Sequence, residues 1–188
     1  MPRDIDSLPL NQVRHPGQAV HDESWIKALL HRAPVGVLAT AGGDVPYINT
    51  NLYVFDEPGH AIYLHTALEG RTRANIEANE RVCFSVMEMG RLLPTWEALE
   101  FSVEYSGVVV FGRARVIAEM DAARRAMEML LSKYAPHLRP GQDYRPMRDE
   151  HLAKTSVLRI DIDQWSGKRE VAPEDYPGAY RYNDEKPT

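Results

Sequence analysis

An antiparallel β-barrel with peripheral helices is the fold this sequence predicts, and three observations predict it. Six segments rich in β-branched and aromatic residues read as strands, most of them joined by short turns. Helical patterns are few and do not alternate with the strands as βαβ units require. The last clear strand, residues 156–163, alternates cleanly, with Val157, Arg159, Asp161 and Asp163 on one face and Leu158, Ile160 and Ile162 on the other.

The elements follow in order. Residues 1–20 are polar, charged and Pro-containing without periodicity, and read as an N-terminal arm. Asp22 caps a helix to about residue 32, whose apolar stripe is Trp25, Ile26, Leu29 and Leu30 and whose stop is Pro34. A strand over 35–40 turns at Gly42-Gly43-Asp44 into a second strand over 46–55. Asp56-Glu57-Pro58-Gly59 closes that strand, and the third covers 61–66. A short helix over about 70–79 leads into a strand over 81–89 and an irregular connection around Leu93-Pro94-Thr95-Trp96. Residues 104–117 form a long strand in which Gly107 and Gly112 mark bulges or close approaches. Asp121 caps a helix carrying Met127, Leu130, Leu131 and Tyr134, and a short helix is expected near 147–154 before the final strand. The organisation is therefore an arm (1–20), one barrel domain (21–170) and a C-terminal arm (171–188), extended and either mobile or laid on a partner.

Composition narrows the function classes. The chain has 188 residues, 44% hydrophobic and 26% charged, which suits a single globular domain. A formal net charge of −5 argues against a general nucleic-acid binder but leaves room for a small anionic cofactor. Cys83 is the only cysteine, so neither an internal disulfide nor a Cys-based zinc site can be built, and its strand setting reads as a buried thiol. No metal site is expected from His60 and His65 without suitable partners. The N-terminus lacks the apolar core of a signal peptide and no apolar run is long enough for a membrane span, so a cytoplasmic protein is the expectation.

The segment from Tyr63 to Asn79 carries the chemistry. A strand runs through Gly70 into Arg71, Thr72 and Arg73 at the start of a helix. A helix N-terminus offers free backbone N–H groups and partial positive charge, Gly70 permits close approach, Arg71 adds a guanidinium fork and Thr72 a hydroxyl. This is what a phosphate requires. From spacing alone, the simpler reading is that Arg71 and Arg73 are solvated residues opening a helix.

The order of four stretches adds to that reading. PYINTNLYVFD, AIYLHTALEGRTRANIEANERVCFSV, EYSGVVVFGRARV and IDQWSGK together resemble the pyridoxamine 5′-phosphate oxidase-like FMN-binding split barrels, in particular the nitroimidazole-reductase branch, over about residues 25–168. The resemblance implies a six-stranded antiparallel split β-barrel that forms a homodimer with one FMN in each of two interfacial clefts. It places Asn49, Thr50, Asn51 and Leu52 along the flavin ring and His65 and Thr66 as polar contacts. Gly70, Arg71 and Thr72 fall at the phosphate, with Trp165 and Lys168, after the final strand, near the partner's cofactor. Many relatives carry Lys after the Arg, whereas this chain has Thr72, which removes one charge.

The implied activity is an FMN-dependent reductase that takes hydride from NAD(P)H and reduces an electron-poor small molecule such as a 5-nitroimidazole, an activity tied to antibiotic resistance. His65 reads either as a core histidine bonded to backbone or as the catalytic side chain that guides substrate or protons. Trp165 reads equally as an interface or core aromatic, and Trp96 as packing or cleft lining. Two other classes stay open: a non-catalytic flavin- or haem-binding sensor on the same fold, and a deazaflavin-dependent reductase.

Overall fold

The computed structural model describes residues 7–182. The outermost residues of both expected arms lie outside that range. Helix α1 (Glu23–Arg32) starts where Asp22 accepts hydrogen bonds from the Ser24 hydroxyl and from the Ser24 and Trp25 backbone N–H groups, which together hold its carboxyl below the usual range. The helix buries Ile26, Leu29 and Leu30. A short strand, β1 (Ala19–Val20), precedes it, so the end of the N-terminal arm belongs to the sheet.

The remaining strands are β2 (Gly36–Gly42), β3 (Val45–Asn51), β4 (Val54–Asp56), β5 (Ala61–Ala67), β6 (Arg81–Leu93), β7 (Ser102–Val116), β8 (Thr155–Glu170) and β9 (Tyr180–Arg181). They form one antiparallel sheet in the order β3-β2-β6-β7-β8-β5-β4, with β1 paired to β8 and β9 to β6. The class is the one expected, but the described residues form nine strands rather than six.

Three local differences have physical causes. The expected strand over 46–55 is two strands, β3 and β4, broken at Leu52 and Tyr53. At the break, Tyr53 N–H donates to the Tyr134 hydroxyl (3.0 Å) and the buried Tyr53 hydroxyl donates to the Leu30 carbonyl (2.7 Å), so side chains replace the ladder. Because only these two residues join β3 to β4, the two edges of the sheet are brought round towards each other, and the sheet curls into an open barrel. The final strand does not stop at 163 but continues to Glu170, which puts Trp165 and Lys168 inside β8 rather than after it. Helix α3 (Met120–Tyr134) begins at Glu119 without a side-chain cap, and Asp121 lies within its first turn instead of capping it.

The core lies between the curled sheet and α1, centred on fully buried Leu29, Leu30, Tyr53, Phe84, Leu158 and Ile160. Each such side chain contributes about 1.5–3 kcal/mol of burial. A satellite cluster of Ile117, Ala123, Ala126 and Val157 packs α3 on the sheet's outer face, with Tyr63 against it. Gly112 marks the expected close approach: a Cβ there would collide with the Asp161 carbonyl oxygen, and the β7–β8 register shifts beside it. Helix α2 (Arg71–Ala78) follows β5, and α4 (Asp149–Leu152) precedes β8.

The described part of the C-terminal arm lies on its own chain. Arg91 donates to the Glu104 carboxylate (2.7 and 2.9 Å) and to the carbonyls of Ala172, Pro173 and Glu174, while Ala172 N–H donates back to Glu104 (3.1 Å). The Arg91 guanidinium, with the Arg91 and Ala172 backbone N–H groups, holds the Glu104 pKa down at about 2.

Candidate functional site

Helix α2 is fastened to the barrel by buried polar side chains. Asn75 Nδ2 donates to Thr40 Oγ1 (3.0 Å), and Asn49 Nδ2 lies 3.4 Å from Thr72 Oγ1. These bonds fix the helix against β2 and its N-terminus against β3. Gly70 precedes it at φ 154° and ψ 167°, a conformation that a side chain strongly disfavours, and there is open space where a Cβ would stand. No side chain caps the first turn.

The two arginines of that turn differ. Arg73 Nε donates to Glu77 (2.7 Å) and its Nη1 donates to Ser156 Oγ (2.8 Å), which ties the helix to β8. Arg71 is exposed and, among the described residues, has no hydrogen-bond or ion-pair partner. Asn49, Asn51, Gly70, Arg71 and Thr72 therefore gather in one place, with Asn51 Nδ2 donating to the Asn49 carbonyl (3.0 Å). Thr72 is buried and bonded to Asn49, so its side chain positions the helix as well as facing the turn.

Strand alternation separates the other expected residues. Thr50 and Leu52 fall on the face opposite Asn49 and Asn51, together with Ile48, which is 67% exposed. On β5, Thr66 pairs with Ser156, the acceptor for Arg73, whereas His65 shares the outward face of Tyr63 and is exposed. Trp165 packs on the core between Phe55 and His60, with ring centroids 6.3 and 4.8 Å away. Lys168 sits over the Tyr105 ring at 5.0 Å. Neither contacts the Arg71 turn within one chain.

Sequence reasoning missed a second polar assembly. Lys133 Nζ donates to the Ala33 carbonyl (2.9 Å) and stands 3.7 Å above the Tyr53 ring, and burial pulls its pKa down to about 8. Its helical position in α3 carried no signal, because its partners come from α1 and the β3–β4 break. Among the described residues no group of three His, Cys, Asp or Glu side chains is placed to hold a metal ion, and no helix is long and apolar enough to cross a membrane.

The same architecture occurs in solved structures. The flavocytochrome Anf3 from Azotobacter vinelandii superposes with a TM-score of 0.76 at 21% identity, over 94% of this chain and 86% of that one. An FAD- and haem-binding protein from Mycobacterium smegmatis gives 0.73 at 22% identity, over 84% and 76%. A protein assigned to 5-nitroimidazole antibiotic resistance in Bacteroides thetaiotaomicron gives 0.67 at 19% identity, over 80% and 86%. At these identities the likeness shows a shared fold. No curated protein matches the chain in sequence. The family model described as pyridoxamine 5′-phosphate oxidase matches residues 22–169, which take in both arginines, the whole of α2 and all but the last residue of β8, and the chain belongs to that family.

Proposed function

We propose that the protein is a flavin-dependent oxidoreductase that binds FMN at the β3–α2 junction and reduces a small electron-poor compound such as a nitroaromatic. The observation that carries this reading is the contrast at the turn: Arg71 is free beside an open Gly70 and an uncapped helix start, while Arg73 is consumed by structure. Free backbone N–H groups and a guanidinium fit a phosphate monoester. Membership of a family named for an oxidase supports redox chemistry.

Bound flavin would supply hydride acceptance from NAD(P)H and electron delivery to substrate. The chain's own residues hold and shield it: Arg71 balances the phosphate charge, Asn49 and Asn51 offer amides to the polar edge of the ring, and Thr66 extends that polar wall. His65, exposed on the strand leading into the turn, orients an anionic substrate or a proton donor.

A homodimer completes the site in this reading. β3 is a sheet edge whose outward face carries Ile48, exposed Leu52 follows it, and Met87 on β6 is 64% exposed. Unpaired edges and apolar faces of this kind favour a second copy. Trp165 and Lys168 then approach the cofactor of the other subunit. Sedimentation of a monomer with full flavin occupancy would remove this part.

A second reading, favoured by the flavin and haem named in two of the structures of like fold, is a flavin- or haem-binding protein without turnover. The deciding experiment is an absorbance spectrum of gently purified protein before and after NADPH, with chromatography of the released cofactor. A flavin spectrum bleached by NADPH and FMN in the extract support the reductase. A Soret band without flavin turns the assignment to haem, and a released deazaflavin changes the cofactor but keeps the reaction class.

A further inference from the structure

We propose that Asn75, held by Thr40 and given room by Gly42, is a positioning residue that fixes helix α2 in the register at which the Arg71 turn receives a flavin phosphate. This rests on the flavin reading above and adds to it three residues which that reading leaves out.

The inner face of α2 is chemically unlike that of α1. Helix α1 buries Ile26, Leu29 and Leu30, an apolar stripe. Helix α2 buries Thr72, Asn75 and Ile76, so two of its three buried side chains are polar. Asn75 and its acceptor Thr40 are each only 4% exposed. Replacing such a buried pair by apolar groups of the same shape is often neutral for stability, so firmness alone does not call for an amide here. What an apolar contact lacks is direction. A hydrogen bond has a set length and angle, and a buried polar pair therefore selects one alignment among several that pack equally well.

The bonds along α2 select it turn by turn. Asn75 Nδ2 donates to Thr40 Oγ1 at 3.0 Å, and the Thr40 hydroxyl donates in turn to the Tyr47 carbonyl at 3.4 Å, across the β2–β3 ladder. One turn further on, Asn79 Nδ2 donates to the Ala41 carbonyl at 3.4 Å. Successive turns of the helix thus meet successive residues of β2. Asn75 itself lies one turn after Arg71. A slip of one residue would rotate the helix by about 100° and carry Arg71 and the first free N–H groups away from their common point.

Gly42 is an independent observation on the same amide. It ends β2 opposite Val45, and its φ is not positive, so the backbone there does not call for glycine. A Cβ would stand 2.3 Å from Asn75 Oδ1, inside any tolerable contact. What the glycine provides is room for the Asn75 side chain.

The test compares FMN with riboflavin, which has the same ring and lacks the phosphate, by fluorescence titration of protein freed of bound flavin. The parent is expected to bind FMN roughly tenfold more tightly, and that margin measures the phosphate contact. The double variant Asn75→Leu, Thr40→Val replaces both partners by apolar groups of like shape. Its unfolding midpoint is expected to be unchanged or raised, while the margin falls roughly fivefold through weaker FMN binding and riboflavin affinity holds. Thr40→Ser keeps the hydroxyl and is expected to keep the margin. Gly42→Ala crowds the amide and is expected to lower the margin likewise; it decides the matter should the double variant fail to fold. A full margin in the deciding variant overturns the proposal. So does an equal loss of both ligands, which would make the network structural alone. A parent that binds FMN and riboflavin equally would instead strike the phosphate reading of the Arg71 turn, and the role of Asn75 with it.

Discussion

Two arginines show how differently one side chain is used in this molecule. Near the turn of the β6–β7 hairpin, Arg91 is fully engaged, gripping Glu104 and three carbonyls of the C-terminal segment. At the start of α2, Arg71 stands in solvent with the described chain offering it nothing, beside a glycine whose surroundings are empty. An arginine whose donors are spent on its own chain holds structure. One kept free next to uncapped helix N–H groups is available to something that arrives from outside.

The comparison can be broken most forcefully at the spent arginine. Arg91→Ala leaves Glu104 without its partner and should lower the denaturant unfolding midpoint, with release of the C-terminal segment. The pH dependence has a definite sign. The Glu104 pKa is lowered in the folded state to about 2 from an ordinary 4.5, so its contribution is present above the ordinary value and is lost as pH falls towards 2. Glu104→Gln should flatten that acid limb, and an unchanged limb would show that the clamp adds little.

At the free arginine the expected effect moves from stability to ligand. Arg71→Ala should weaken FMN binding by about 2 kcal/mol, roughly 30-fold, with an unfolding midpoint within error of the parent. Arg73→Ala sharpens the contrast: it should cost about 1 kcal/mol of stability through the lost Ser156 and Glu77 bonds and change FMN affinity less than Arg71→Ala. Equal FMN dissociation constants in both variants and the parent would return Arg71 to the solvated surface. His65→Ala should reduce nitroaromatic turnover while leaving the FMN titration unchanged. A loss confined to KM would make His65 an anion contact, and no change at all would make it structural.

A separate, pH-dependent effect belongs to Lys133. Burial lowers its folded pKa to about 8 from 10.5, so the unfolded chain binds more protons between those values and stability should rise with pH across that window. Lys133→Met should abolish the rise in unfolding experiments between pH 8 and 10.

Much of this was legible in the sequence, for reasons that are local. Asp22 and Pro34 bracket α1, and the alternation of Leu158, Ile160 and Ile162 announces a strand with one buried face. Gly70 with Arg71 marks the turn because glycine and charge act on their immediate neighbours. What was not legible depends on distant partners. The break at Tyr53 exists because Tyr134, far along the chain, supplies a hydroxyl to its backbone. The extension of β8 through Trp165 and Lys168 follows from pairing with β7 and β1, and its own alternation fades there. The roles of Arg71 and Arg73 look interchangeable in sequence, and only Ser156 on β8 tells them apart.

The place of β8 in the sheet also bears on how the chain folds. Leu64 pairs with Leu158 and His65 with Val157, so β5 has no neighbour on that side until the final quarter of the sequence exists. During synthesis, the β4–β5 hairpin is complete while more than half the chain is still to be made, and both it and the later β7 edge wait with unpaired backbone until β8 emerges. Non-local pairing of this kind slows folding and exposes strand edges to other molecules. A ribosome pause or truncation before residue 155 would leave two open edges flanking one missing strand, so β8 acts as the closing step of the barrel's assembly.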